Sequence, residues 1–382
     1  MVNKKIPVCE PLLLGNERKY VDEALDSGWI SSAGKFVEAF EKEFANYCRS
    51  SYAVGVTNGT TALHLAIRAL GIGKGDEVIV PNFTMISSAL AVCYAGAIPV
   101  FVDADPQTWN IDSQKIEEKI TNKTKAIMVV HIFGLPCDMD AIAAIAEKHK
   151  LPIIEDAAEA HGATYDGHVV GSISTISCFS FYANKNITCG EGGMVVTNEK
   201  DLYYKCRYYK NLCFPLDAPR IYWHCDIGYN YRLSNLHAAI GLAQLEKADI
   251  YKEMRQRNGR MYREFLSALP GIEFQQDRAP ISGKGVENVN WMNAITVDKT
   301  KYGRGRNELM EFLNDNNVET RPFFIGMNKQ PSLINYGLDQ SSERFPVTER
   351  LSNEGFYLPS GSGLTEEQIR YVCELISRFY KG

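Results

Sequence analysis

The chain of 382 residues is 45% hydrophobic and 23% charged, an ordinary globular composition with length for two or three domains and a sizeable core. A formal net charge of −5, with no dense run of Lys and Arg, excludes an electrostatic footprint for nucleic acid, so any anionic ligand must be held locally. Ten cysteines scattered from Cys9 to Cys373 without a CxxC pair fit neither a zinc site nor a small disulfide framework, and point to reduced thiols in a cytoplasmic enzyme.

The N-terminal Met1-Val2-Asn3-Lys4-Lys5-Ile6-Pro7 carries charge but no following apolar stretch, so no signal peptide is expected. From about Tyr52, short β-branched runs alternate with amphipathic helical segments, the pattern of parallel strands joined by crossover helices. Ala53–Val56 reads as a strand and Thr60–Leu70 as a helix, with Ala62, Leu63, Ala66, Ile67 and Leu70 on one face before Gly71 and Gly73 stop it. Glu77–Val80 is the next strand. Val78 to Val102 holds no charged side chain and is long enough to cross a bilayer. Pro81, Asn82, Gly96 and Pro99 interrupt it, which favours a strand, a helix over Ile86–Ala95 and a second strand over Pro99–Val102.

Helices near Ser113–Ile120 and Met139–Lys148 separate the strands Pro99–Val102, Ala126–Val130 and Pro152–Glu155. A mostly parallel, helix-covered sheet follows, and such sheets bind ligands beyond the carboxyl ends of their strands. Asp103, His131 and Asp156 each close a strand and stand where chemistry usually sits. After Gly193, Met194–Val196 reads as a strand, and helical periodicity then dominates from Ser234 to about Leu269, interrupted near Lys252. Strands near Trp291–Val297 and Val318–Arg321, with helices near Asn307–Asn314 and Glu366–Phe379, read as a smaller α+β domain. The expected division is a large domain over 1–250 and a small one over 251–382.

Two stretches carry chemistry. Ile153-Ile154-Glu155-Asp156 is an apolar strand ending in carboxylates; Asp156 either caps the following turn or pairs with a ligand cation, and position alone leaves both open. In Ser180-Phe181-Tyr182-Ala183-Asn184-Lys185-Asn186-Ile187-Thr188-Cys189-Gly190-Glu191-Gly192-Gly193, a lone lysine sits between an aromatic-rich strand and a glycine cluster. Lys185 is either a solvated loop lysine or, desolvated beside apolar residues, a nucleophile able to form a Schiff base with a carbonyl.

The second stretch resembles the lysine motif of the DegT/DnrJ/EryC1/StrS family of sugar aminotransferases, and Glu155-Asp156-Ala157-Ala158-Glu159-Ala160-His161-Gly162 resembles that family's upstream aspartate motif. The resemblance runs over the whole chain. It includes Trp29-Ile30-Ser31-Ser32, Asn58-Gly59-Thr60-Thr61-Ala62-Leu63, Gly75-Asp76-Glu77-Val78-Ile79-Val80-Pro81, Gly228-Tyr229-Asn230-Tyr231-Arg232 and Glu319-Thr320-Arg321-Pro322. It implies an α/β fold type I architecture with a mostly parallel seven-stranded-type sheet, pyridoxal 5'-phosphate as cofactor, and L-glutamate and a nucleotide-linked keto sugar as substrates. It also implies a homodimer with the active site at the interface. By this resemblance Lys185 holds the cofactor and carries the proton, and Asp156 pairs with the pyridine nitrogen. Glu159 stands where many relatives have Gln against the phenolic oxygen, so either one of the two groups there holds a proton or the contact is made differently.

Gly59, Thr60 and Ser180 match phosphate contacts, the first two at the start of a predicted helix whose free N–H groups favour an anion. Asn230 matches the residue that reaches the phosphate from the neighbouring subunit. Met85 takes the place of an aromatic residue above the ring, with Phe83 nearby to compensate. Arg321 is the expected partner of a nucleotide diphosphate, against a plain surface salt bridge. Trp223 and His224 resemble residues of the loop bordering the sugar pocket, against buried packing for Trp223. Asn328 occupies a substrate-side position where relatives acting on GDP sugars often have His, which leaves the nucleotide open. A sugar 3-dehydratase on the same scaffold has His at the lysine position, so Lys185 argues against it. A non-catalytic regulator of the same fold is opposed by intact Lys185 and Asp156. A nicotinamide enzyme needs G-x-G-x-x-G, which Gly55 to Thr61 does not supply.

Overall fold

The computed structural model describes residues 5–217, 219 and 221–381, the last by its backbone alone. The first four residues of the segment weighed above for a leader therefore lie outside the described residues.

Seven strands form the main sheet: β1 (Tyr52–Val56), β2 (Glu77–Pro81), β3 (Ile98–Val102), β4 (Thr124–Val130), β5 (Ile153–Asp156), β6 (Ile176–Ser180) and β7 (Gly193–Thr197). Their order is β1-β7-β6-β5-β4-β2-β3. Neighbours from β3 through β6 pair in parallel, whereas β7 runs antiparallel to both β1 and β6. The reversal has a local cause. Residues 181–192 join β6 to β7 without a helix, and a parallel return needs a longer crossover. This connection is the one that carries Lys185.

Helices cover both faces, so β6 and β7 are buried along their whole length and read as continuous rather than alternating runs. Gly59–Ala69 and Ile86–Tyr94 pack on one face with Lys200–Lys210, and Lys35–Tyr47 and Asn235–Leu245 pack on the other. The uncharged stretch from Val78 to Val102 is β2, the helix Ile86–Tyr94 and β3, and no helix among the described residues is long and apolar enough to cross a membrane.

Beyond this sheet, β8 (Ile272–Phe274), β9 (Asn293–Val297), β10 (Arg321–Pro322) and β11 (Gly355–Leu358) form an antiparallel sheet ordered β8-β9-β11-β10. The helices Ala248–Leu266 and Glu366–Lys381 close over it. Ile369, Val372, Leu375 and Ile376 recur at helical spacing on the second helix and are all buried with Tyr262, Leu266 and Ile295. Each such side chain contributes roughly 1.5–3 kcal/mol on leaving water. Ile6 is buried in this same core and bridges to Val318, so the N-terminal segment crosses over to it.

Two local expectations change. Ser113–Ile120 forms two 3-10 turns, Ser113–Lys115 and Glu117–Lys119, because the segment between the Asp112 cap and Thr121 is too short to repay helix nucleation. The long helical region breaks at Glu246–Lys247 rather than near Lys252. There the Glu246 carboxylate accepts hydrogen bonds from Asn16 at 2.7 Å and from Tyr20, which ties the break to the helix Glu17–Asp26. All ten cysteines are unpaired.

Candidate active site

The carboxyl ends of β4, β5 and β6 open into a cavity of about 760 Å³ whose wall includes Val130, Asp156 and Ser180. Lys185, Glu159, Gly59, Thr60, Met85 and Arg321 complete the set of predicted residues that it brings together.

Asp156 ends β5 and is 5% exposed. Its Oδ2 accepts a hydrogen bond from the Ser88 hydroxyl at 2.8 Å and its Oδ1 accepts from the Ala158 N–H at 3.3 Å. Burial pushes this carboxyl above its usual range, and Ser88, Ala158 and the charge of Lys185 pull it part of the way back. The site thus holds a carboxylate without a full counter-charge.

Glu159 follows in the turn after β5 and is buried beside it. Its Oε2 accepts from the Phe133 N–H at 2.7 Å. Phe133 has a φ of 57°, in the left-handed region that bulky residues avoid, so the turn after β4 is held under strain with that amide aimed at Glu159. Burial raises the Glu159 carboxyl to about 7, with the Lys185 charge opposing.

Lys185 sits in the β6–β7 connection with its Nζ 3.7 Å from the centre of the Trp291 ring. The residue is half-buried because its amine opens onto the cavity. Desolvation lowers its pKa, and the carboxylates of Glu159 and Asp156 oppose the shift. An amine so placed loses its proton more readily than a surface lysine and becomes a nucleophile.

The far end of the cavity is built for an anion. Asn58 caps the helix Gly59–Ala69 through a reciprocal pair of bonds with Thr61, at 2.9 and 3.2 Å. That cap leaves the N–H groups of Gly59 and Thr60 without an intrahelical partner. The Thr60 hydroxyl lies 3.1 Å from that of Ser87. A Cβ on Gly59 would lie 2.8 Å from the Ser180 Cβ, and one on Gly193 would lie 2.4 Å from the Asn58 carbonyl oxygen. The two glycine signals are therefore one packing requirement, which brings Ser180 up to the helix start.

Pyridoxal phosphate, the cofactor implied by the resemblance, fits these residues. A phosphate finds free amides and hydroxyls at Gly59, Thr60 and Ser180, a protonated ring nitrogen finds the uncompensated carboxyl of Asp156, and an aldehyde finds the amine of Lys185.

Not every predicted residue lies here. Met85 lines the cavity at 49% exposure, but Phe83 is fully buried against Phe133, Phe323 and Phe324 and cannot compensate for it. Asn328 is 2% exposed; its backbone N–H donates to Asn82 Oδ1 at 2.9 Å and its Oδ1 accepts from Asn82 Nδ2 at 3.0 Å. That pairing fixes a loop and leaves Asn328 outside the cavity wall of this chain. Trp223 is 75% exposed rather than packed in a core. His224 is also exposed, its Nδ1 2.7 Å from the Leu212 carbonyl oxygen, and neither residue lines the cavity. Asn230 is exposed outside the cavity lining, accepting from Arg232 at 2.7 and 3.0 Å. Of the other strand-terminal groups, Asp103 accepts from the Val347 and Thr348 N–H groups and so caps the helix Pro346–Glu354. His131 is fully buried, with its Nδ1 3.1 Å from the Cys137 N–H.

Ser88, Asn184 and Trp291 were not singled out from sequence. Ser88 directly follows Ser87, whose hydroxyl meets that of Thr60, in a run of small residues, and nothing local distinguishes it. Trp291 read only as the start of a strand.

Substituting Glu159 with Gln tests the electrostatics without cofactor. The folded carboxyl ionises near 7 and the unfolded one near its ordinary value of 4.5. Stability of the cofactor-free protein therefore falls as pH rises between those values and stays low above them. Glu159→Gln should stabilise that protein by on the order of 2–3 kcal/mol at pH 7.5 and by under about 1 kcal/mol at pH 5, measured by denaturant titration. An effect equal at both pH values would show that Glu159 does not ionise in this range.

A model of the DegT/DnrJ/EryC1/StrS aminotransferase family matches residues 13–377. The chain is 46% identical over 377 residues to GDP-perosamine synthase of Escherichia coli O157:H7, covering 99% of each chain. It is 44% identical over 374 residues to GDP-perosamine synthase of Caulobacter vibrioides, covering 98% of each. Among solved structures it is similar to an aminotransferase from Psychrobacter cryohalolentis, with a TM-score of 0.91 and 33% identity over 97% of this chain and 98% of that one.

Proposed function

The chain belongs to the DegT/DnrJ/EryC1/StrS aminotransferase family, and from that premise we propose that it moves the amino group of L-glutamate to carbon 4 of GDP-4-keto-6-deoxymannose, giving GDP-perosamine. The fold is of type I, and pyridoxal 5'-phosphate is the cofactor. Two full-length relatives bearing the name GDP-perosamine synthase support the acceptor. The single observation that carries the chemistry is a lysine amine depressed by burial, opening into the same cavity as two buried carboxyls.

When bound, the cofactor supplies an electrophilic aldehyde and a ring that accepts electrons. Lys185 would hold the cofactor through its amine, and the free Nζ is the group that would take and return the proton at the substrate carbon. Asp156, ionised, would pair with a protonated ring nitrogen, and Ser88 and Ala158 hold Asp156 in place. Glu159, fixed by the Phe133 amide, faces the lysine and keeps its proton available near neutral pH. Gly59, Thr60 and Ser180 hold the phosphate.

Arg321 lines the cavity with 61% of its side chain exposed, paired with Glu319 at 3.6 Å. Such an exposed pair is weak, so the guanidinium is free to exchange its partner for a diphosphate. Asn230 stands outside the cavity of its own chain, which supports a homodimer in which it serves the phosphate site of the second copy. Trp223 and His224, exposed on the preceding segment, extend the same surface.

Incubation with glutamate, cofactor and keto sugars linked to GDP, dTDP or UDP, with products read by mass, tests this reading. Amino-sugar formation from the GDP compound, at a rate at least about tenfold above the others, is expected, a ratio that one lost charge-assisted contact produces. Turnover confined to a dTDP or UDP sugar would refute the acceptor and leave the aminotransferase intact.

A further inference from the structure

Arg255 lies in the middle of the helix Ala248–Leu266 and is 2% exposed. No carboxylate among the described residues lies within ion-pair distance of it. A buried guanidinium without a counter-ion is costly and persists only where its donors are used. Here they are. Nε donates to the Ser362 hydroxyl at 3.0 Å, Nη1 to the Trp291 carbonyl at 2.6 Å, and Nη2 to the Asn184 carbonyl and the Cys9 sulfur at 3.2 Å each.

The Asn184 carbonyl is the convergence point. It also accepts from the Trp291 indole N–H at 3.0 Å and from the Cys9 thiol at 3.4 Å. Three segments distant in sequence therefore hold the peptide immediately before Lys185, and the Lys185 amine rests 3.7 Å over the ring of the same Trp291. Arg255 fixes both the loop that carries the amine and the ring beneath the amine.

We propose that Arg255 is a positioning residue for Lys185, acting through Asn184 and Trp291 to hold the amine over the ring and at the mouth of the cavity. This rests on the reading of Lys185 as the cofactor-bearing lysine. The groups facing that amine are Glu159 and Asp156 from the end of β5, Cys9 from the N-terminal segment, Arg255 from the long helix and the neutral His161 behind it. Desolvation is the largest effect on the amine and favours its neutral form; Glu159, Asp156 and Cys9 oppose it, and the charge of Arg255 adds to it.

The test uses cofactor-free full-length protein, pyridoxal phosphate and borohydride. The amine adds to the aldehyde carbon with loss of water, hydride reduces the resulting C=N bond, and the modified peptide is quantified by mass against pH. Arg255→Gln should slow labelling at pH 7 about tenfold through the loosened loop and raise its midpoint, the direction that loss of a nearby cation gives. Arg255→Lys, which keeps the charge, should return the midpoint toward that of the unmodified protein. Trp291→Phe keeps the ring and removes the indole donor, and should slow labelling with little movement of the midpoint. Circular dichroism reports folding. Midpoint and rate unchanged in Arg255→Gln overturn the proposal; if that variant does not fold, an unchanged rate in Trp291→Phe overturns it. Lys185→Ala run alongside separates the two readings, because labelling retained at that peptide's neighbours would sink the lysine assignment rather than the role of Arg255.

Discussion

Lys185→Ala should fold, retain the cofactor without a covalent bond, and transaminate on the order of 10⁴-fold more slowly than the unmodified enzyme, because one substitution removes both the nucleophile and the proton carrier. Folding is expected to survive. The Lys185 side chain makes no hydrogen bond or ion pair within the described residues and touches the chain chiefly at the Trp291 ring. The loop itself is held by backbone contacts that alanine preserves, the Lys185 N–H to Tyr182 at 2.9 Å and the Asn184 carbonyl to Arg255 and Trp291. Binding should survive as well, since Gly59, Thr60 and Ser180 are untouched. Single-turnover kinetics with glutamate, and dialysis of the loaded protein, check both halves. Retained turnover within about tenfold would defeat the assignment of Lys185, since a nucleophile and proton carrier contribute more than that.

Asp156→Asn carries the second large effect. Asparagine keeps the shape, but its one carbonyl oxygen can accept from Ala158 while its amide NH2 must donate to the Ser88 hydroxyl, and it cannot hold a protonated ring nitrogen by charge. A loss of about 10³-fold in kcat is expected, the size seen when a charge-stabilising group is removed from a water-excluded site. Stability should move the other way. The folded pKa of Asp156 is raised, so the cost of its ionisation develops as pH climbs past the unfolded value and is complete above the folded one. At pH 8 cofactor-free Asp156→Asn should therefore be at least as stable as the unmodified protein while almost inactive. A variant that is both active within about threefold and less stable would contradict the role of Asp156, because neither the lost charge nor the relieved burial would then be felt.

The parallel part of the fold was legible where a strand is followed by an amphipathic helix whose period is visible in one window, as in β4 and Met139–His149. The direction of β7 was not, since Met194–Val196 reads as a strand in either sense and only the missing crossover decides it. The cofactor side of the candidate site was readable from motifs that are local in sequence, such as Asn58-Gly59-Thr60 and Gly192-Gly193, which the fold then packs against each other. What stayed hidden depends on distant partners. Arg255 meets Asn184 across 71 residues and Trp291 meets it across 107. The burial of Asn328 stayed hidden for the same reason, its pairing with Asn82 spanning 246 residues. For Trp223 the alternative of buried packing, which a tryptophan's size suggests, gives way to an exposed loop.

The most direct test of the whole account is peptide mapping of the cofactor-loaded enzyme after borohydride reduction. The pyridoxyl group is expected on the peptide containing Asn184, Lys185 and Asn186 and nowhere else. Label on any other lysine, or cofactor lost entirely on denaturation after reduction, would contradict it.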